Sequence, residues 1–186
     1  MIAIIVIVLI IICIVAYVMI YNGLVQLRTH AQESWSQIDV QLQRRNDLIP
    51  NLVSTVKGYS KHESETLEKV TQLRKQLESV PADDRTEKMK VANELTSSLH
   101  SFIAVAESYP DLKASTQYQS LMEELSNTEN KIAYSRQLYN STVANLDARI
   151  QSFPSNIVAR IHHFKPMEYL QVPQETKEVP KVSFDD

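Results

Sequence analysis

The hydrophobic pattern divides the chain into two regimes that meet near residue 21. From Ile2 to Ile20 there is no charged residue, no Gly and no Pro. As a helix rising 1.5 Å per residue this run measures roughly 28 Å, close to the ~30 Å hydrocarbon core of a bilayer. Beyond it the apolar positions become periodic. Leu24, Leu27, Ala31, Trp35, Ile38 and Leu42 recur in steps of three and four, which draws one buried stripe and predicts a first bundle helix over 22–45. Asp47, ahead of Leu48, Ile49 and Pro50, reads as the cap of a second helix, because Pro in a first turn has no N–H partner to lose. That helix would run to Ser79 with Ile49, Leu52, Val56, Tyr59, Leu67, Val70, Leu73 and Leu77 inward. The alternative at Pro50 is one kinked, continuous helix. The hairpin is preferred, since an unbroken helix would leave a long stripe with too few partners.

Val80 to Arg85, with Pro81, Asp83 and Asp84, reads as a turn. A third helix starts at Thr86, carries Val91, Leu95, Leu99, Phe102 and Ala106, and ends near Tyr109 before Pro110. After a second turn at Asp111 to Ser115, a fourth helix carries Leu121, Leu125, Thr128, Ile132, Tyr139, Val143, Leu146 and Ile150 and stops at Phe153-Pro154. Short connections force neighbouring helices to lie antiparallel. The predicted fold is all-α: an N-terminal transmembrane helix followed by an up-and-down antiparallel four-helix bundle. Past Pro154 a short apolar piece, Ile157 to Phe164, gives way to a polar stretch with Pro166, Pro173 and Pro180. The domain reading is therefore 1–21 anchor, 22–164 bundle and 165–186 flexible polar tail, with disorder expected from about Gln171.

The apolar run meets specific objections to other readings. A core helix without a polar face would have to be wrapped by the rest of a small chain. A signal peptide needs a basic start and a small-residue cleavage site, whereas Met1 alone precedes the run and Tyr17, Met19 and Tyr21 occupy its end. Lipidation at Cys13 is rejected because Ile12 stands where a small residue is required. Tyr17 and Tyr21 suit the headgroup level. Arg28, Arg44, Arg45 and Lys57 all follow the run, which favours a cytoplasmic bundle, an outside N-terminus and a single pass through the cell membrane.

Composition adds little beyond this. Two Gly and a net charge of −3 suit a helical protein and leave no electrostatic footprint for nucleic acid. The single Cys lies inside the apolar run, so cysteine usage is silent on redox compartment.

The stretch Trp35-Ser36-Gln37-Ile38-Asp39-Val40-Gln41-Leu42-Gln43-Arg44-Arg45-Asn46-Asp47-Leu48-Ile49-Pro50-Asn51-Leu52-Val53, with Thr55-Val56-Lys57-Gly58-Tyr59 and His62-Glu63, closely resembles the LemA family. Glu129-Asn130-Lys131-Ile132-Ala133-Tyr134, Tyr139-Asn140 and Phe153-Pro154-Ser155-Asn156 match the family's other end. The likeness runs from about Tyr21 to Phe164 and departs at Leu146-Asp147, where many members have Tyr-Asn. The resemblance implies a bacterial, membrane-anchored, mostly helical protein of poorly defined role with no established enzyme activity.

Within those blocks, Trp35, Asp39, Arg44, Arg45, Asp47, Pro50 and Asn51 cluster in sequence about the expected corner between the first two helices. The plain reading is a hydrogen-bonded network satisfying helix ends, and the sharper one a partner-docking knob. Asn130, Tyr134, Tyr139 and Asn140 raise the same choice, and their spacing does not put all four on one face. Catalytic readings fare poorly. His62-Glu63 begins like a zinc-protease helix, but Thr66 stands where the second His belongs. His162 and His163 are adjacent and point to different sides, and Gly23 and Gly58 stand alone rather than in a phosphate loop. No catalytic residue, cofactor, metal or small-molecule substrate is inferred. The expected function is a membrane-anchored scaffold or adaptor, in envelope or membrane-protein quality control by family analogy, with a membrane-protein partner. The other hypothesis is a self-assembling, membrane-organising protein.

Overall fold

In a computed structural model, residues 1–58, 64–106 and 108–171 are described, and they contain helices and loops but no strand. The helices are α1 (Ile2–Lys57), α2 (Ser64–Ser79), α3 (Arg85–Ala106), α4 (Pro110–Lys113), α5 (Thr116–Gln151) and α6 (Ser155–Ile161). The all-α fold, with an apolar N-terminal helix and bundle-like packing, is as the periodicity predicts. Tyr59, His62, Glu63 and the chain from 172 onward lie outside the described residues.

The main correction concerns Pro50. There is no hairpin there: α1 continues through it, and Asp47 is an interior residue that accepts a 2.9 Å hydrogen bond from Gln43. A proline inside a helix deprives the carbonyl four residues earlier of its donor. Here that carbonyl belongs to Asn46, and Arg74 Nε on α2 donates to it at 3.3 Å. The buried stripe also carries on in register through Leu42, Ile49, Leu52 and Val56, so breaking the helix would expose apolar surface. The chain reverses later, between α1 and α2.

The described residues form two compact units, one of Met1–Gln41 with Asn130–Tyr169 and one built on Leu42–Glu129, which Leu170 joins. In the second unit the last turns of α1, then α2, α3 and the first turns of α5 supply four helical segments. Asn46 hydrogen-bonds Glu78 near the far end of α2, as antiparallel neighbours require. The start of α3 is capped locally. Asp84 accepts the Glu87 N–H at 3.0 Å to begin α3, one residue before the predicted start. The turn expected at 111–115 contains the short helix α4, with Pro110 in its first turn and Leu112 buried.

In the first unit α1 and α5 run antiparallel. Leu24 packs with Leu146, and farther along Trp35 meets Tyr139 edge-on with ring centroids 6.3 Å apart. Val158 and Ala159 of α6 join the Leu24 cluster, with Ile20, Tyr21, Leu27, Ile150, Phe164 and Met167 packed around it. Residues 165–169, assigned to the tail from sequence, are tied down at two points. Asp147 Oδ1 accepts the Met167 N–H at 3.3 Å, and Tyr139 Oη donates to the Glu168 carbonyl at 3.2 Å.

Helix α6 ends with a left-handed residue. His163 has φ 55°, its N–H donates to the Arg160 carbonyl, and the Phe164 N–H reaches back to the Ala159 carbonyl at 2.9 Å. That pair of bonds is a Schellman cap, which favours Gly because a Cβ is crowded in this conformation. The His163→Gly variant is expected to gain about 1 kcal/mol, since relief of that crowding outweighs the extra flexibility of the unfolded chain. A thermal midpoint unchanged or lowered would refute this.

Candidate partner-contact surface

Three features of this fold are dressed for contact or for polar pairing. The first is the start of α1, where every residue from 2 to 19 is exposed. Among the described residues α1 alone is long and apolar enough to cross a membrane. Ile and Val are mediocre helix formers in water, but in lipid the backbone must satisfy its own hydrogen bonds, and a helix does so.

The second is a shallow groove in the first unit. Ser36, Gln37, Val40 and Gln41 line it from α1, and Asn130, Lys131, Tyr134 and Ser135 from α5, around a volume of about 580 Å³. Each set repeats at one helical turn, so two parallel ridges frame the groove. Val40 is 62% and Tyr134 68% exposed, large apolar surfaces left open to solvent. The side-chain oxygen of Gln41 is buried with no hydrogen-bond partner in the protein. Lys131 is the only ionisable side chain in the lining apart from the Tyr134 phenol, so amide, hydroxyl and apolar contacts dominate. That set is suited to holding a partner.

The third is a polar network inside the second unit. Arg45 is 1% exposed. Its Nη1 donates to Glu129 at 2.7 Å and to the Thr96 hydroxyl at 2.6 Å, and its Nη2 donates to the Ala92 carbonyl at 3.0 Å. The Thr96 hydroxyl lies within reach of both the Ala92 carbonyl and Glu129. Nearby on the chain, Arg44 pairs with Glu124 at 2.6 Å on the surface, where such pairs add little stability. Glu78 accepts from both Asn46 and Arg74.

The residues singled out from sequence thus separate. Arg45 anchors a buried network with Glu129, a residue that sequence reasoning did not pick. Asp47, Pro50 and Asn51 lie exposed on continuous helix rather than at a corner, and Asp39 is half-buried. Asn130 and Tyr134 line the groove, whereas Tyr139 is buried against Trp35 and Asn140 is half-buried outside the lining. Among the described residues no group of three or more His, Cys, Asp or Glu is placed to hold a metal ion.

A family model described as the LemA family matches residues 34–184. The chain is 30% identical over 139 residues to Protein LemA of Metamycoplasma hominis, covering 75% of this chain and 63% of that protein. It is 28% identical over 173 residues to magnetosome protein MamQ of Magnetospirillum gryphiswaldense, covering 80% and 64%. With magnetosome protein MamQ 2 of Paramagnetospirillum magneticum it shares 26% identity over 175 residues, covering 81% and 64%. The chain therefore spans less than two thirds of the length of these relatives.

Proposed function

This chain belongs to the LemA family, and on that premise we propose that it is a membrane-anchored adaptor whose helical body holds another membrane protein. The observation that carries the reading is the pairing of two surfaces on one helix. The first turns of α1 present only apolar side chains, and the same helix later supplies Ser36, Gln37, Val40 and Gln41 to an open groove. A single pass through the cell membrane with the body cytoplasmic fits the presence of Arg28 shortly after the span. Anchoring raises the effective concentration of a neighbour, so contacts too weak for free partners suffice. A role in envelope or membrane-protein quality control is the process this arrangement would serve.

Self-assembly is the second reading, favoured by the fully exposed surface of residues 2–19, which leaves every face of the span open to another copy. Photo-crosslinking residues placed at Val40 and Tyr134 of the full-length chain in living cells separate the two. The adaptor reading expects one discrete adduct with a second membrane protein. Ladders of the protein with itself would replace it with self-assembly. Labelling no stronger than from the exposed control position Gln32 would reject the groove as a contact in either case.

A further inference from the structure

The membrane-facing end of the first unit carries a short helix with apolar side chains on its outer face as well as its inner one. Helix α6 buries Ser155, Val158 and Ala159 but leaves Ile157 52% and Ile161 56% exposed, and Phe153 just before it is 80% exposed. In a water-facing domain, three bulky apolar side chains standing out around a seven-residue helix have no stabilising partner.

Their surroundings place them at a lipid surface. The Tyr17 hydroxyl is hydrogen-bonded to His162 Nε2 at 2.6 Å, and Tyr21 lies on the same imidazole with ring centroids 4.5 Å apart. Phe164 follows, edge-on to Tyr21 and covered by the Arg28 guanidinium at 5.1 Å. Tyr17 stands three residues inside the end of the apolar run, about 4.5 Å along the helix. Side chains on a helix lean toward its N-terminus, which carries the hydroxyl deeper still. His162, and Ile161 beside it, therefore lie at the level where the span leaves the hydrocarbon. Charge agrees with this placement. From Ala148 to Met167 there is no Asp or Glu, while Arg149, Arg160 and Lys165 are all exposed, with His162 and His163 among them.

We propose that α6 and its flanks form an interfacial foot, in which Phe153, Ile157 and Ile161 sink into the acyl boundary while Arg149, Arg160 and Lys165 meet anionic lipid phosphates. The inference rests on the span crossing the bilayer, as the proposed function holds. A helix lying in the interface gains from its apolar face and from basic residues at the headgroups together. The foot clamps the first unit against the bilayer at a second point, so the body does not swing freely on a single helix.

The test uses the full-length chain in nanodiscs containing phosphatidylglycerol, in a Cys13→Ser background with an environment-sensitive fluorophore on single cysteines. Positions are Ile157→Cys and, as a second variant, Ile161→Cys. Val8→Cys reports the span, and Gln32→Cys an exposed site about 18 Å beyond its end. The expected result is at least about twofold stronger quenching by lipid-borne nitroxides at 157 and 161 than at 32. It should weaken when Arg160→Gln and Lys165→Gln are combined. Quenching at 8 with none at 157 or 161 overturns the foot and leaves the anchor standing. No quenching at 8 removes the anchor and the foot together. Quenching at 157 that persists unchanged in phosphatidylcholine alone overturns the assignment of an anionic surface.

Discussion

Replacing Arg45 with alanine is expected to lower stability by about 3 kcal/mol. Arg45 is almost wholly buried and spends its guanidinium on Glu129, Thr96 and the Ala92 carbonyl. Truncation takes the charged partner from Glu129 and one donor each from Thr96 and the Ala92 carbonyl, and leaves a void the size of the side chain. The Glu129 side chain keeps 32% of its surface exposed, so water partly compensates its lost partner. That places the loss at the low end of the range for a broken buried pair. At the scale of a domain this size the thermal midpoint should fall by about 6–12 °C, read by helix circular dichroism of the full chain in mild detergent. Arg45→Met combined with Glu129→Leu should recover most of the loss, because it removes both charges and refills the space. A midpoint for Arg45→Ala within about 2 °C of the parent would show that the network contributes no net stability.

Tyr139→Ala should be at least as damaging, by about 3–5 kcal/mol. Tyr139 is buried to 1% exposure between α1 and α5, edge-on to Trp35, and its hydroxyl pins the chain after α6 through the Glu168 carbonyl. Tyr139→Phe keeps the ring and its contact and loses one hydrogen bond, so about 1 kcal/mol is expected. Trp35 is the sole tryptophan, which makes its fluorescence a local reporter. Emission should shift to the red in the alanine variant, as water reaches the indole, and stay near the parent in the phenylalanine variant. Equal losses from both variants would mean that the hydroxyl, rather than ring packing, dominates this site.

Arg45 also shows how far periodicity reaches. It stands three residues after Leu42 and four before Ile49, squarely on the apolar stripe, so its burial follows from spacing alone once the helix is taken through Pro50. Its partner Glu129 lies 84 positions away, and no local pattern connects them. Tyr134 and Tyr139 make a similar point. Five residues turn a helix by about 140°, so spacing separates an outward tyrosine from an inward one. Which of them faces the groove depends on where α1 lies.

By itself the sequence determined the apolar span, the helical class, the inward stripes and the stops at Val80 and Phe153-Pro154. Each of these depends on residues within a few turns of one another, where side-chain period and backbone chemistry act alone. Tertiary structure decided the rest. Pro50 stays inside a helix because Arg74 supplies a donor to the Asn46 carbonyl, and Arg45 is tolerated in a core because Glu129 arrives from another helix. The short helix α6 owes its place to Leu24, Tyr21 and Tyr17, since seven residues are too few to hold a helix without packing. In each case the deciding partner is distant in sequence, and only the folded chain brings it within hydrogen-bond or van der Waals reach.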